Sequence, residues 1–180
     1  MTTDPCHSKP TRALPRRRAV LGLAAALMAG GAPVQALERP AGAVLLSIRG
    51  RVRIPNTGAR ADFDMAMLAA LAQSSFSTRT PWFAQARRFT GPLLRDVLAA
   101  AGAQGTTLRL IALNDYRVEM PFEDCQRHDV IVARLLDGQP MAVRDKGPLF
   151  VIYPFDAQPE LRSAVYYTRS AWQLRTIEVS

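Results

Sequence analysis

The chain has 180 residues, with 23 Lys+Arg against 15 Asp+Glu, a formal net charge of +8, two cysteines and two histidines. So few Cys and His exclude a disulfide-dense scaffold and a zinc site built from several such ligands. The positive charge is concentrated at the start of the chain. Lys9, Arg12 and Arg16-Arg17-Arg18 precede an uncharged run from Ala19 to Gly30, and Val34-Gln35-Ala36 closes the stretch with small residues at the positions a signal peptidase reads. A basic region, a short apolar run and a small-x-small site together make a secretory signal over residues 1–36. The apolar run is too short for a spanning helix, which needs about 20 residues. Arg17-Arg18-Ala19-Val20-Leu21 also partly matches a twin-arginine signal, with Arg16 in place of the usual Ser or Thr, so both export routes stay open.

Residues 37–180 are then expected to be one periplasmic domain, not membrane-spanning, with 18 basic and 14 acidic residues. That mild excess suits a small anionic ligand or an acidic partner surface. There is no Lys/Arg cluster with interleaved aromatics, so nucleic acid is not expected. Cys125 and His128 are the only residues of their types left. An internal disulfide is impossible, and a Ser-His triad would have to use His128. A segment of this length can bury a sizeable core without a staple.

In chain order, Ala43–Ile48 reads as a strand, and Val52-Arg53-Ile54 as a second short one before the turn Pro55-Asn56-Thr57-Gly58. Asp64 caps a helix over Met65–Ala72, with Met65, Leu68 and Leu71 at helical spacing. Capping explains Asp64 without a catalytic pair with Asp62, and Met65 and Met67 read as core. Gly91-Pro92 opens a second helix, Leu93–Ala101, with Gly102 as its stop. Leu108–Leu113 and Arg117–Met120 are strands joined by Asn114-Asp115-Tyr116. Val130–Leu136 is a strand ending at Asp137-Gly138. Phe150–Tyr153 is another, and Trp172–Val179 is the last. The pattern is α+β: short strands in a mixed sheet covered by two or three helices.

The order of signals from Thr90 to Pro154 resembles a known family. Gly91-Pro92-Leu93-Leu94-Arg95-Asp96-Val97-Leu98 with Gly102, Asn114-Asp115-Tyr116, Leu135-Leu136-Asp137-Gly138-Gln139-Pro140-Met141 and Arg144…Gly147-Pro148-Leu149 are similar to the molybdopterin-binding domain of sulfite-oxidase-type oxidoreductases. The resemblance implies that mixed-sheet fold. Two departures stand out. Active members bind molybdenum through a cysteine before the Gly-x-x-Leu helix, and Ser75–Trp82 contains none, while Cys125 lies well after the helix. Lys146 and Phe150 also stand where the family usually has a histidine and a basic residue that help hold the cofactor's phosphate. Thr78-x-Thr80-Pro81-Trp82 and the ending Trp172-Gln173-Leu174 resemble a small exported subgroup similar to periplasmic pterin-binding regulators. This implies a receptor that binds a simple pterin and reports it to a membrane-bound enzyme making or degrading cyclic di-GMP. The alternative is an oxidoreductase carrying molybdopterin with molybdenum.

A pterin is a flat heteroaromatic ring whose edge presents adjacent N–H donors. It needs an aromatic platform and a carboxylate or amide to accept them. Trp82 and Tyr116 are candidates for the platform, and Asp115 or Asn114 for the edge. Thr78 and Thr80 are candidates to donate to the ring oxygen, and Arg144 and Lys146 to hold a phosphate or carboxylate. Each also has a plain structural reading. Trp82 suits a partly buried core position, Asn114-Asp115 a hairpin turn, and the threonines exposed strand positions. Arg144 and Lys146 suit a solvated loop, Cys125 a small buried position, and His128 the surface.

Overall fold

A computed structural model describes residues 36–180, so the export segment expected at 1–36 lies outside the described residues except for its last position. In chain order the elements are β1 (Leu46–Gly50), β2 (Ala61–Phe63), α1 (Met65–Ala70), β3 (Gln73–Thr80), β4 (Phe83–Pro92) and α2 (Leu94–Ala100). There follow β5 (Thr107–Ala112), β6 (Arg117–Pro121), α3 (Asp124–Arg127), β7 (Ile131–Ala133), β8 (Leu135–Leu136) and β9 (Gln139–Pro140). The last are β10 (Phe150–Ile152), α4 (Ala164–Arg169), β11 (Ala171–Trp172) and β12 (Leu174–Val179). The architecture is mixed α+β, mostly strands, arranged in three sheets.

The largest sheet has the order β2-β1-β12-β5-β6; β1 runs parallel to β12 and every other pair is antiparallel. Alternation decides which face is buried. Leu46 and Ile48 of β1 point into the core with Leu108 and Leu110 of β5 and Ile177 of β12. Arg49, Glu178, Arg109 and Glu119 line up across the opposite face and pair in sequence. The other sheets are β3-β4-β8-β9 and β11-β10-β7. Phe89 of β4 meets Phe150 of β10 edge-on at 5.9 Å, which joins the two.

Two helix ends follow from single residues. The Asp64 carboxylate accepts the Met67 N–H at 2.8 Å and also the N–H groups of Ala41 and Gly42, so one side chain caps α1 and ties down the preceding segment. These donors hold its pKa below the ordinary value, with the Met67 N–H the largest cause. At the end of α2, Gly102 adopts φ +60°. Its N–H donates to Ala99 O and the Ala103 N–H to Leu98 O, satisfying two terminal carbonyls in a Schellman turn.

The structure revises four sequence expectations. Val52 makes only an isolated bridge to Ala103, and β1 takes its second partner from Ala61–Phe63 instead. Pro92 ends β4 and Leu93 is the N-cap, so α2 runs Leu94–Ala100, one residue shorter at each end than the expected Leu93–Ala101. The apolar run Val130–Leu136 divides at Arg134, with β7 pairing β10 and β8 pairing β4. Trp172–Val179 divides at Gln173, whose φ of +53° turns the chain from one sheet into another. The β3–β4 hairpin and α4 are additions. No helix among the described residues is long and apolar enough to cross a membrane.

Candidate functional site

The β3–β4 turn, β11, the β5–β6 loop and α4 converge on a cleft of about 350 Å³. Pro81 and Trp82, Trp172, Tyr116 and Tyr167 form its walls. The Trp82 ring lies 5.5 Å from Phe150, 6.3 Å from Phe155, 6.2 Å from Tyr167 and 5.6 Å from Trp172, so it is the hub of an aromatic cluster. Trp172 extends this cluster outward. The half-exposed Tyr116 ring lies nearly parallel to it, with an interplanar angle of 6° and centroids 6.4 Å apart. Lys146 Nζ sits 4.6 Å from the Trp172 centroid and 5.9 Å from that of Phe83. Lys146 is the only lysine in residues 37–180. A cation over an indole face is attracted by the ring quadrupole.

The loops around Trp172 are held in unusual backbone conformations. Asp115, Lys146 and Gln173 are non-glycine residues with φ of 61°, 72° and 53°. Each costs about 1 kcal/mol or more relative to ordinary backbone and persists only where its surroundings fix it. Gln173 does much of that fixing. Its N–H donates to Lys146 O at 3.0 Å, its carbonyl accepts from the Leu113 N–H at 2.9 Å, and its side-chain amide donates to Val143 O at 2.8 Å. One residue thus joins the Lys146 loop to the Tyr116 loop.

A second, more polar cleft of about 300 Å³ adjoins the first and shares Pro81 and Tyr167 with it. Arg79, Thr80, Asp156 and Arg162 complete its lining. Asp156 accepts the Arg79 backbone N–H at 2.8 Å and pairs with Arg162 at 2.9 Å. Its own N–H donates to Thr78 Oγ1 at 3.1 Å.

Of the residues singled out from sequence, Trp82, Tyr116 and Lys146 come together around Trp172. Thr78 and Thr80 are strand residues but not exposed ones, because the turn at Asp156 folds over them. Thr80 Oγ1 accepts the Trp82 N–H at 3.3 Å and so shapes the turn that presents the indole. Asn114 accepts the Tyr116 N–H, and Asp115 pairs with Arg175 at 3.0 Å, so both carboxamide and carboxylate have local partners. Arg144 stands apart on an exposed 3₁₀ turn beside Asp145. Tyr167 was not picked out from sequence, and Trp172 and Gln173 were picked out only as part of the chain's ending, not as site residues. Tyr166-Tyr167 near Trp172 carried an aromatic signal, but nothing in a glutamine announces a positive φ.

α4 is only six residues long and buries none of its side chains completely. Arg169 at its end donates to Asp124 Oδ2 at 2.9 Å, and the same oxygen accepts the buried Tyr153 hydroxyl at 2.6 Å. Burial, then the hydrogen bond to Asp124, raises the Tyr153 pKa strongly, so the phenol stays a donor. This network holds the end of α4, whose Tyr167 packs on Phe155 at 4.8 Å. His128 is not simply a surface residue: its Nδ1 lies 2.8 Å from Gln158 Oε1 and its ring meets Tyr166 edge-on.

A molybdenum ion held by a protein thiolate does not fit these residues. Cys125, the only cysteine among the described residues, is buried, and burial pushes its thiol up to about 12. Nor do three or more His, Cys, Asp or Glu side chains gather as a metal site among the described residues. No family model matches this chain, and no curated protein matches it.

Proposed function

We propose that the chain is an exported, non-catalytic pterin-binding protein with the fold of the sulfite-oxidase-type molybdopterin-binding domain. In this reading it acts in the periplasm by signalling to a membrane-bound enzyme of cyclic di-GMP metabolism. The observation that supports binding is the cleft walled by Trp82, Trp172, Tyr116 and Tyr167. A flat heteroaromatic ring gains most from such walls, because each face it buries is matched by an aromatic face. Thr168 and Ser170 also line the cleft; their hydroxyls donate to the Ala164 and Tyr166 carbonyls, which leaves their oxygen lone pairs to accept an N–H of a ring edge. The buried thiol of Cys125 supports a binding role over the alternative, an oxidoreductase with a thiolate-bound molybdenum centre.

The test is a titration of the purified chain with 6-hydroxymethylpterin, followed by quenching of the pterin's own fluorescence. Saturable one-to-one binding that Trp172→Ala weakens at least tenfold is expected. No saturation at millimolar pterin would refute the reading.

A further inference from the structure

The two adjoining clefts differ in chemistry. The aromatic one has walls for a flat ring, and the polar one is lined by Arg79, Thr80, Pro81, Asp156, Arg162 and Tyr167. Pro81 and Tyr167 belong to both, so a ring seated in the first can pass a short tail into the second.

The polar cleft is built before any tail arrives. Asp156 Oδ2 accepts the Arg79 backbone N–H at 2.8 Å, and the Asp156 N–H donates to Thr78 Oγ1 at 3.1 Å, which ties the segment after β10 to β3. Arg162 is oriented by two bonds: Nε donates to the Phe155 carbonyl at 3.2 Å, and Nη2 meets Asp156 Oδ1 at 2.9 Å. These use two of its five N–H donors. Asp156, the only carboxylate in the lining, thus carries a protein donor on each oxygen, and its charge is matched by Arg162. Glu160 lies in the same segment but is not part of the lining. The charge of Arg79 is left over. Its backbone serves Asp156, and among the described residues its guanidinium enters no ion pair.

We infer that this polar cleft is a subsite for an oxyanion, a phosphate or carboxylate, carried on a short tail of the bound ring. A guanidinium fork matches two oxygens of such a group, and Arg162 brings its remaining N–H groups to the same cleft. A cationic tail would meet Arg79 as a like charge, and a neutral polyol would leave that charge unanswered. The inference rests on the pterin reading for the ring but not for the anion.

The test compares neopterin with neopterin 3′-phosphate by fluorescence titration of the purified chain. The phosphate should bind at least about tenfold tighter, as one charge-assisted hydrogen bond allows. That ratio should shrink as salt rises, because the cleft is open to solvent. It should fall to near one in Arg79→Gln and persist in Arg144→Gln, whose residue stands on an exposed turn. Equal affinity for the two compounds, or a ratio abolished by Lys146→Gln and not by Arg79→Gln, would overturn the inference. A second measurement follows the arginine Nε–H resonances of the unsubstituted chain during titration with inorganic phosphate, the Arg79 and Arg162 signals being identified by their loss in the single glutamine variants. Both should shift and saturate, and no shift in either would also overturn the inference. If no pterin binds while inorganic phosphate still moves these two signals, the ring assignment falls and the oxyanion subsite stands.

Discussion

Tyr116→Ala removes a ring that is 46% exposed and whose aromatic neighbour is Trp172. The folded protein loses one aromatic pair, worth about 1 kcal/mol. A bound pterin loses one aromatic wall of the cleft, and stacking on an aromatic side chain is worth about 1–3 kcal/mol, or roughly 5- to 150-fold in affinity. Trp82→Ala is a different perturbation. Trp82 touches Phe150, Phe155, Tyr167 and Trp172, so its removal opens a hole in the aromatic cluster. Replacing a large core aromatic by alanine costs about 3–5 kcal/mol, and a half-buried one falls near the lower end. Since a domain has about 5–15 kcal/mol in all, Trp82→Ala is a folding variant before it is a binding variant. Urea unfolding followed by far-ultraviolet circular dichroism measures the first quantity, and pterin fluorescence quenching the second. Tyr116→Ala should lose binding with a small shift in urea midpoint, and Trp82→Ala should show a large midpoint shift. Equal midpoint shifts for the two, or full affinity in Tyr116→Ala, would refute this division between wall and core.

Other consequences follow from single contacts. Reductive methylation with ¹³C-formaldehyde labels Lys146 as the only side chain among residues 37–180, beside the chain's α-amine; the Lys146 methyl resonance should lie upfield from Trp172 ring currents and return to the free value in Trp172→Ala. In Gly91→Ala a Cβ would stand 2.0 Å from the Val132 carbonyl oxygen, so the strands must part. The expected loss is about 2–3 kcal/mol by overpacking, read as a lowered melting temperature. The Asp64 carboxyl is held below its ordinary 3.8, so it contributes stability above that value and loses it as pH falls through the lower folded value. Asp64→Asn should flatten that acid limb in urea midpoints measured against pH. Cys125 should resist thiol reagents at pH 8 in the folded protein and react fully in urea, as a buried thiol pushed up to about 12 must.

Where local chemistry and tertiary structure agreed, the fold was legible. Asp64, Gly102 and the Asn114-Asp115-Tyr116 and Asp137-Gly138 turns did what their side chains and backbone freedom dictate. The β3–β4 hairpin was not legible as a unit, because β3 is an edge strand of Gln, Ser, Thr and Arg with little apolar alternation. The breaks at Arg134 and Gln173 were hidden for the opposite reason. Both halves of each run are buried strands, and only the pairing partners reveal that the chain changes sheets. At the site, aromatic residue types pointed to Trp82 and Tyr116, but the burial of Thr78 and Thr80 depends on Asp156, far away in sequence. The placement of Lys146 over Trp172 depends on backbone conformations that no residue type there requires.

The most direct test is mass spectrometry of the small molecules released by denaturing the protein purified from the periplasm, with metal analysis of the same sample. A simple pterin without molybdenum is the predicted result. A stoichiometric molybdenum–pyranopterin cofactor would contradict the account.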